Sequence, residues 1–529
     1  MLYAVIQKSL VFGGKVASID DRRARAIAGV RHVVEIKGLD NPTHLRPGVA
    51  VVADSTWAAM KGREALVVNW DDAPQRGESS ENLKRQFQGL AAKPGKALRQ
   101  AGDVDKALNE AAHALEAVYE LPFLAHATME PMNCVASVRD GRCEIWGPLQ
   151  MPMSAQQVVA AATGLPREAI TIHVTRIGGG FGRRLLSDYV AEAAVVSKAI
   201  NAPVQVVWTR EDDLTQDYYR PASLHRLRGG VDTGGRLTAW SHHLINVSRN
   251  TYRKGTTPPE STEVYGLLAP RSDNADKEYE LDLVPTLIPN LRLEYSEAPT
   301  SIPTGAWRAP AHNVNAFAIE CFLDELAKAG GKDAIEFRLQ FMGDAKDFPY
   351  QGDNPTPYNP TRLKGVLQLA AEKAGWGRAL PRGWGRGIAA HFTFGSYAAL
   401  VADVSVESPS RIKIQRILAA IDVGTPINLS GLEAQTQGGI LDGLSAAMWG
   451  EATVEQGRAT RRNFDSYRLL RNREAPLVEV HIVASNMRPT GYGEIALPPV
   501  APAVANAIFQ ATGKRIRRLP FSAGGWQLA

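Results

Sequence analysis

One stretch limits the possible folds more than any other. ITIHVTR (170–176) reads as a strand, IGGGFGRR (177–184) as a tight glycine turn, DYVAEAAVVSKAI (188–200) as a helix and PVQVVWT (203–209) as a further strand. A chain that switches period in this way belongs among mixed folds. The same mixture runs from end to end, so the fold class is α+β.

The first 75 residues form a small α/β module. MLYAVIQ (1–7), VRHVVEI (30–36), VAVVAD (49–54) and LVVNWD (66–71) read as strands, and STWAAMKGREA is a helix with Ser55 as its N-cap. Residues 76–111, polar and rich in Lys, Gln and Ser, read as a linker wrapping a surface. The first large lobe follows over 112–347. Its strands are HALEAVYEL, NCVASV and RCEIWG, its helix SAQQVVAAATG stops at Gly164, a hairpin turns at VDTGGRL, and a strongly periodic helix covers 311–330. Residues 250–300 are an irregular excursion, and the Pro- and Asn-rich stretch 348–360 marks a boundary. The second lobe, 360–529, carries strands at ALVADVSV, RIKIQRILAAID and LVEVHIVA and helices at 431–446 and 502–512.

Composition narrows the function. The 529 residues hold three cysteines, Cys134, Cys143 and Cys321, with no CxxC pair. This argues against a cysteine-ligated iron–sulfur cluster or zinc site within this chain, and equally against a disulfide framework. With 60 Lys+Arg against 55 Asp+Glu, the net charge of +5 makes no case for nucleic acid. There is no apolar run of about 18 residues and no signal-peptide pattern. The chain begins inside a strand, as if a segment preceded it.

Three segments carry chemistry. IGGGFGRR lets backbone amides approach an anion. It is neither a dinucleotide fingerprint, because Arg183 stands where the third glycine belongs, nor a P-loop, because no GK[ST] follows. A plain tight turn is the alternative, and Arg183 and Arg184 favour a phosphate or pyrophosphate. TGAWRAPAH (304–312) is either a packed corner or a rigid Arg308 over a cavity. PTGYGEIALPPVAPAVANAI (489–508) sets Glu494 in apolar surroundings, where a carboxylate is either a surface residue or a poised base. HATMEPMNC (126–134) reads as a hydrogen-bonded corner, and the neighbours His242 and His243 point to opposite faces of a strand.

In this order, and together with WGPLQ (146–150) and DVGTPINLSGLEAQTQGGILDGL (422–444), these segments resemble the molybdenum-binding subunits of the xanthine dehydrogenase/aldehyde oxidase family. Within it, the chain resembles the isoquinoline 1-oxidoreductase β-subunit branch, which includes nicotinate and membrane-linked aldehyde dehydrogenases. The resemblance covers nearly the whole chain. It implies a hammerhead-like N-terminal module followed by two large molybdopterin-binding lobes. It also implies molybdenum held by a pyranopterin, as the cytosine dinucleotide, with no protein side chain as metal ligand.

By the same resemblance Gln150, 31 residues before Phe181, hydrogen-bonds a molybdenum oxygen. Gly178, Gly179, Gly180, Phe181, Gly182, Arg183, Gly491 and Gly493 bind the cofactor. Arg308 faces the substrate, and Glu494 is the base that deprotonates Mo–OH for attack on an aldehyde or N-heteroaromatic carbon, with hydride passing to the Mo sulfido ligand. HFTFGSY (391–397) lines the substrate pocket.

The resemblance further implies that electrons leave through a small partner subunit with two 2Fe–2S clusters and, in this branch, through c-type cytochromes beyond it. The family's Met-Gly-Gln-Gly segment has no counterpart here, so either a separate chain supplies it or the chain is a truncated fragment. A periplasmic location would depend on a partner's export signal, and the cytoplasm is the alternative. A non-catalytic scaffold that binds no cofactor alone is the competing function.

Overall fold

A computed structural model describes residues 1–249, 258, 260–270, 283–343, 346–348 and 356–529. Parts of the excursion at 250–300 and of the boundary at 348–360 lie outside the described residues.

A seven-stranded sheet opens the chain. Its order is Ile170–Val174, Arg142–Gly147, Asn133–Arg139, Val204–Val207, Leu2–Gln7, Gly48–Ala53 and Val30–Ile36. Leu2–Gln7 pairs in parallel with Val204–Val207 and antiparallel with Gly48–Ala53, so the N-terminal module and the first lobe share one sheet. Alternation along that strand serves two cores. Ala4 and Ile6 join the apolar cluster under the helices Pro152–Thr163 and Asp188–Ile200. Val5 packs with Ala58 and Ala59 of the helix Thr56–Ala65 on the other face.

The stretch read as a linker is built of regular elements. Ser79 caps the helix Ser80–Ala91, which buries Leu83, Phe87 and Ala91, one residue per turn on a single stripe. Lys96–Ala101 is then the edge of a second sheet, ordered Lys96–Ala101, Asn290–Glu297, Leu237–Asn246, Ser223–Val231 and His113–Leu121.

A third sheet, Trp384–Thr393, Ser396–Ser408, Arg411–Asp422 and Leu477–Ile482, forms the second lobe. One continuous core joins the second and third sheets through the helices His312–Ala329, Pro360–Ala374 and Val500–Thr512. The last of these lies directly on backbone. A Cβ on Gly387 would sit 2.2 Å from Ala503 O and from Ala507 N, so only glycine admits the helix there. The mixed α+β class agrees with the sequence reading, and helix stops such as Gly164 (φ +72°) fall where it puts them.

Candidate active site

The loop 177–184 leaves the edge strand Ile170–Val174 and bends back through Gly179 (φ +98°), Phe181 (φ +52°) and Gly182 (φ +110°). The amides of Gly179, Gly180, Phe181 and Gly182 have no hydrogen-bond partner among the described residues. Four consecutive N–H groups on a half-exposed, left-handed turn make a concavity suited to anionic oxygen or sulfur.

Two buried arginines hold this loop from beneath. Arg184 donates to Gly179 O (2.7 Å), Pro148 O (3.2 Å), Glu130 O (2.8 Å) and Glu130 Oε2 (2.9 Å). Glu130 Oε2 also accepts from Gly178 N at 2.8 Å. Arg183 is bidentate to Asp188 (2.9 and 2.8 Å), and its Nε lies 3.3 Å from Asp217 Oδ1. Burial pushes the Asp188 carboxyl up, but Arg183 outweighs it and holds the group below the ordinary aspartate range. The sequence reading points both guanidinium groups at an anionic ligand. In the structure they are committed to the protein, and the amides are what the loop presents. Gln150 donates its N–H to Arg184 O (3.1 Å), and a Cβ on Gly180 would lie 3.2 Å from Gln150 Oε1, so this side chain borders the loop.

The turn 304–312 packs against that loop. Arg308 N donates to Phe181 O at 2.9 Å, and a Cβ on Gly182 would fall 1.9 Å from Ala306 O. Ala309 (φ +57°) and Ala311 (φ +62°) occupy the left-handed region just before the helix His312–Ala329. Such strain in non-glycine residues persists only where the surroundings enforce it. Here Asn313 Nδ2 donates to both Trp307 O (3.0 Å) and Arg308 O (2.8 Å).

The third segment closes the site. Ala309 N donates to Glu494 Oε1 at 2.8 Å. Arg308 donates to Gly493 O through Nε (2.8 Å) and Nη2 (2.6 Å), and Nη2 also reaches Gln435 O and Oε1, each at 3.2 Å. Its Nη1 lies 3.5 Å from Asp442 Oδ2. Desolvation raises the Asp442 carboxyl above its ordinary range, and Arg308 opposes this only in part. Ser396 Oγ donates to Gly491 O (2.7 Å), which ties in the turn after His391. His391 itself pairs with His312 (3.0 Å), and Phe394 stands edge-on to His312 with ring centroids 4.7 Å apart.

All three segments singled out in the sequence therefore meet. Phe181 O and Glu494 Oε1 are held by the consecutive amides of Arg308 and Ala309. Sequence reasoning missed Asp217 and gave no individual role to His126, Glu130, Gln435 or Asp442, which lie in segments it quoted. HATMEPMNC reads as a hydrogen-bonded corner, and it is one: His126 Nδ1 lies 2.9 Å from Asp217 Oδ1 and its Nε2 2.8 Å from Ala306 O, directly behind the loop.

Glycine positions test whether a pterin cofactor fits. A Cβ on Gly491 would meet nothing within 4 Å, and one on Gly493 only Gln435 Oε1 at 3.7 Å. Among the described residues nothing crowds these two positions, which leaves room for a ligand lying close to the backbone. The open positions and the unpaired amides of 179–182 suit a large, polar, anionic group.

Comparison with known proteins gives the same answer. Residues 90–342 and, separately, 367–476 match the molybdopterin cofactor-binding domain. The chain is 29% identical, over 96% of its length, to the membrane-bound aldehyde dehydrogenase (pyrroloquinoline-quinone) of Gluconacetobacter polyoxogenes. It is 27% identical, over 98%, to isoquinoline 1-oxidoreductase subunit beta of Brevundimonas diminuta. It spans 66% and 64% of the lengths of these two relatives. The fold is that of quinoline 2-oxidoreductase from Pseudomonas putida 86, with a TM-score of 0.77 and 14% identity over 98% of this chain and 93% of that one.

Proposed function

From the premise that this chain belongs to the molybdenum hydroxylase family, we infer that it is the cofactor-binding body of an oxidoreductase acting on an aldehyde or an N-heteroaromatic carbon. The observation that carries the reading is the junction at Arg308 and Ala309, whose two amides bring the glycine loop and the Glu494 carboxylate to one place. One relative's name carries a quinone instead. The molybdopterin reading is preferred because both domain matches lie on residues of this chain.

When bound, the molybdopterin cofactor supplies a two-electron acceptor next to the substrate carbon. The chain's own residues do the rest. The amides of Gly179 to Gly182 and the open backbone at Gly491 and Gly493 hold the cofactor, with Gln150 bordering the loop. Glu494 takes the proton from the water-derived nucleophile. Arg308 fixes the Glu494 segment through Gly493 O and sets positive charge beside the substrate. The cytosine dinucleotide form of the cofactor, the iron–sulfur partner, onward cytochromes and a periplasmic site of action belong to the same reading.

The test is the metal and pterin content of the full chain expressed with its neighbouring genes, followed by a screen of aldehydes and N-heterocycles with an artificial electron acceptor. Positioned base catalysis supplies ~10²–10⁴-fold. Glu494→Gln should keep its molybdenum and lose at least about 10²-fold in rate. A wild-type chain without molybdenum would leave the scaffold reading in place, and near-normal turnover in loaded Glu494→Gln would remove Glu494 as the base.

A further inference from the structure

We propose that His126 is a positioning residue that locks the 304–312 turn to the glycine loop by gripping one carbonyl oxygen, that of Ala306. Its imidazole is buried, and both ring nitrogens face acceptors. Nδ1 faces Asp217 Oδ1 and Oδ2 at 2.9 and 3.0 Å, and Nε2 faces Ala306 O at 2.8 Å. The Ala306 carbonyl can only accept, so Nε2 is the donor in that contact.

Asp217 is a hub. It also accepts the main-chain N–H of His126 (2.6 Å) and of Tyr218 (2.7 Å), and it lies beside Arg183 Nε. Burial pushes the Asp217 carboxyl up, while His126 and Arg183 together hold it below the ordinary range.

The carbonyl at the far end is the one that matters for the site. Gly182 packs so closely on Ala306 O that a Cβ there would also come within 3.4 Å of His126 Nε2. Two residues on, Arg308 N reaches back to Phe181 O. The route from Arg183 through Asp217 and His126 to Ala306 O thus connects the buried anchor of the loop to the turn that carries Arg308 and holds Glu494. Among the described residues His126 has no hydrogen bond to Gln150, Arg308 or Glu494, and it acts through the turn. The inference rests on reading the three segments as one site, but it needs no bound cofactor.

Hydrogen–deuterium exchange of the full chain tests it in wild type, His126→Ala, His126→Gln and Asp217→Asn. In His126→Ala, the hydrogen-bonded amides of the two segments, those of Gly178, Arg183, Gly305, Arg308 and Ala309, should exchange roughly tenfold faster, while peptides within Ser396–Ser408 keep wild-type rates. His126→Gln, which retains one donor, should recover part of the protection, and Asp217→Asn should show the same pattern in weaker form.

In chain that turns over, His126→Ala should lower kcat by ~10–100-fold with KM within about threefold, as a misplaced catalytic group does. Unchanged exchange in the two segments would overturn the proposal. So would uniform acceleration across the whole chain in every variant, which would mark His126 as a general core residue. A wild-type chain lacking molybdenum would count against the functional reading and leave the exchange result standing.

Discussion

Loop 177–184 rests on two buried arginines paired with carboxylates of its own lobe, Arg183 with Asp188 and Arg184 with Glu130. Loop 490–494 is held by Arg308, which reaches across from another segment, and the shortest contacts of Arg308 are to the Gly493 carbonyl. Its acidic neighbour Asp442 stays 3.5 Å away. The first arrangement is an internal brace, built with the lobe and independent of any ligand. The second joins two lobes through neutral acceptors, one of them on the exposed residue Gln435, and water can replace such acceptors cheaply. The site thus pairs a rigid cradle with a more adjustable arm, and Glu494 is on the arm.

The largest expected effect separates the two kinds of arginine. Arg183→Met leaves the Asp188 carboxylate buried without its bidentate partner, which should cost about 3–5 kcal/mol of unfolding free energy. Arg308→Met removes hydrogen bonds to half-exposed groups and should cost roughly 1–2 kcal/mol, while abolishing most turnover because the Glu494 segment loses its tether. Urea titration of both variants checks this. Equal losses would erase the distinction between brace and arm.

What could be read from the sequence divides along a physical line. Elements with strong local signals were legible, such as the helix Asp188–Ile200 after GGGFGRR, the Ser55 cap and the helix stop at Gly164. Long-range pairing was not. Nothing local in MLYAVIQ says that Leu2 will sit beside Val204. Side-chain direction was also hidden. Arg183 and Arg184 next to glycines look like ligands for an anion, and only the fold shows Asp188, Asp217 and Glu130 turned to meet them. His126 and Asp217 are separated by 91 residues, so their pairing had no sequence signature. The helix Ser80–Ala91 passed as linker because its three buried apolar residues are diluted by polar ones.

Glycines give the next, smaller contrast. Gly182→Ala would put a Cβ against the Ala306 carbonyl at a φ of +110°, so it should destabilise the chain by roughly 1–3 kcal/mol and loosen the loop. Gly491→Ala meets open space and should stay within about 0.5 kcal/mol of wild type. On the proposed function, however, it should lower the pterin content, because its space is reserved for the cofactor. Thermal unfolding paired with molybdenum analysis reads both. A Gly491→Ala chain that loads normally would show that the arm does not touch the cofactor.

The last contrast lies beside the brace and depends on pH. Asp213 is buried near Asp217, and burial first, then that neighbouring charge, pushes its carboxyl up to about 7 against the pull of Arg210. An unfolded aspartate titrates near about 3.9. The folded chain therefore keeps this proton across a window where the unfolded chain has released it. The stability this contributes is fully present below about 4 and is lost as the pH rises through about 7. Asp213→Asn cannot ionise and escapes that loss. Relative to wild type, its melting temperature should rise by about a degree or more between pH 4.5 and pH 8. A flat or falling difference would mean that Arg210 keeps Asp213 ionised, as a charged pair beside the brace.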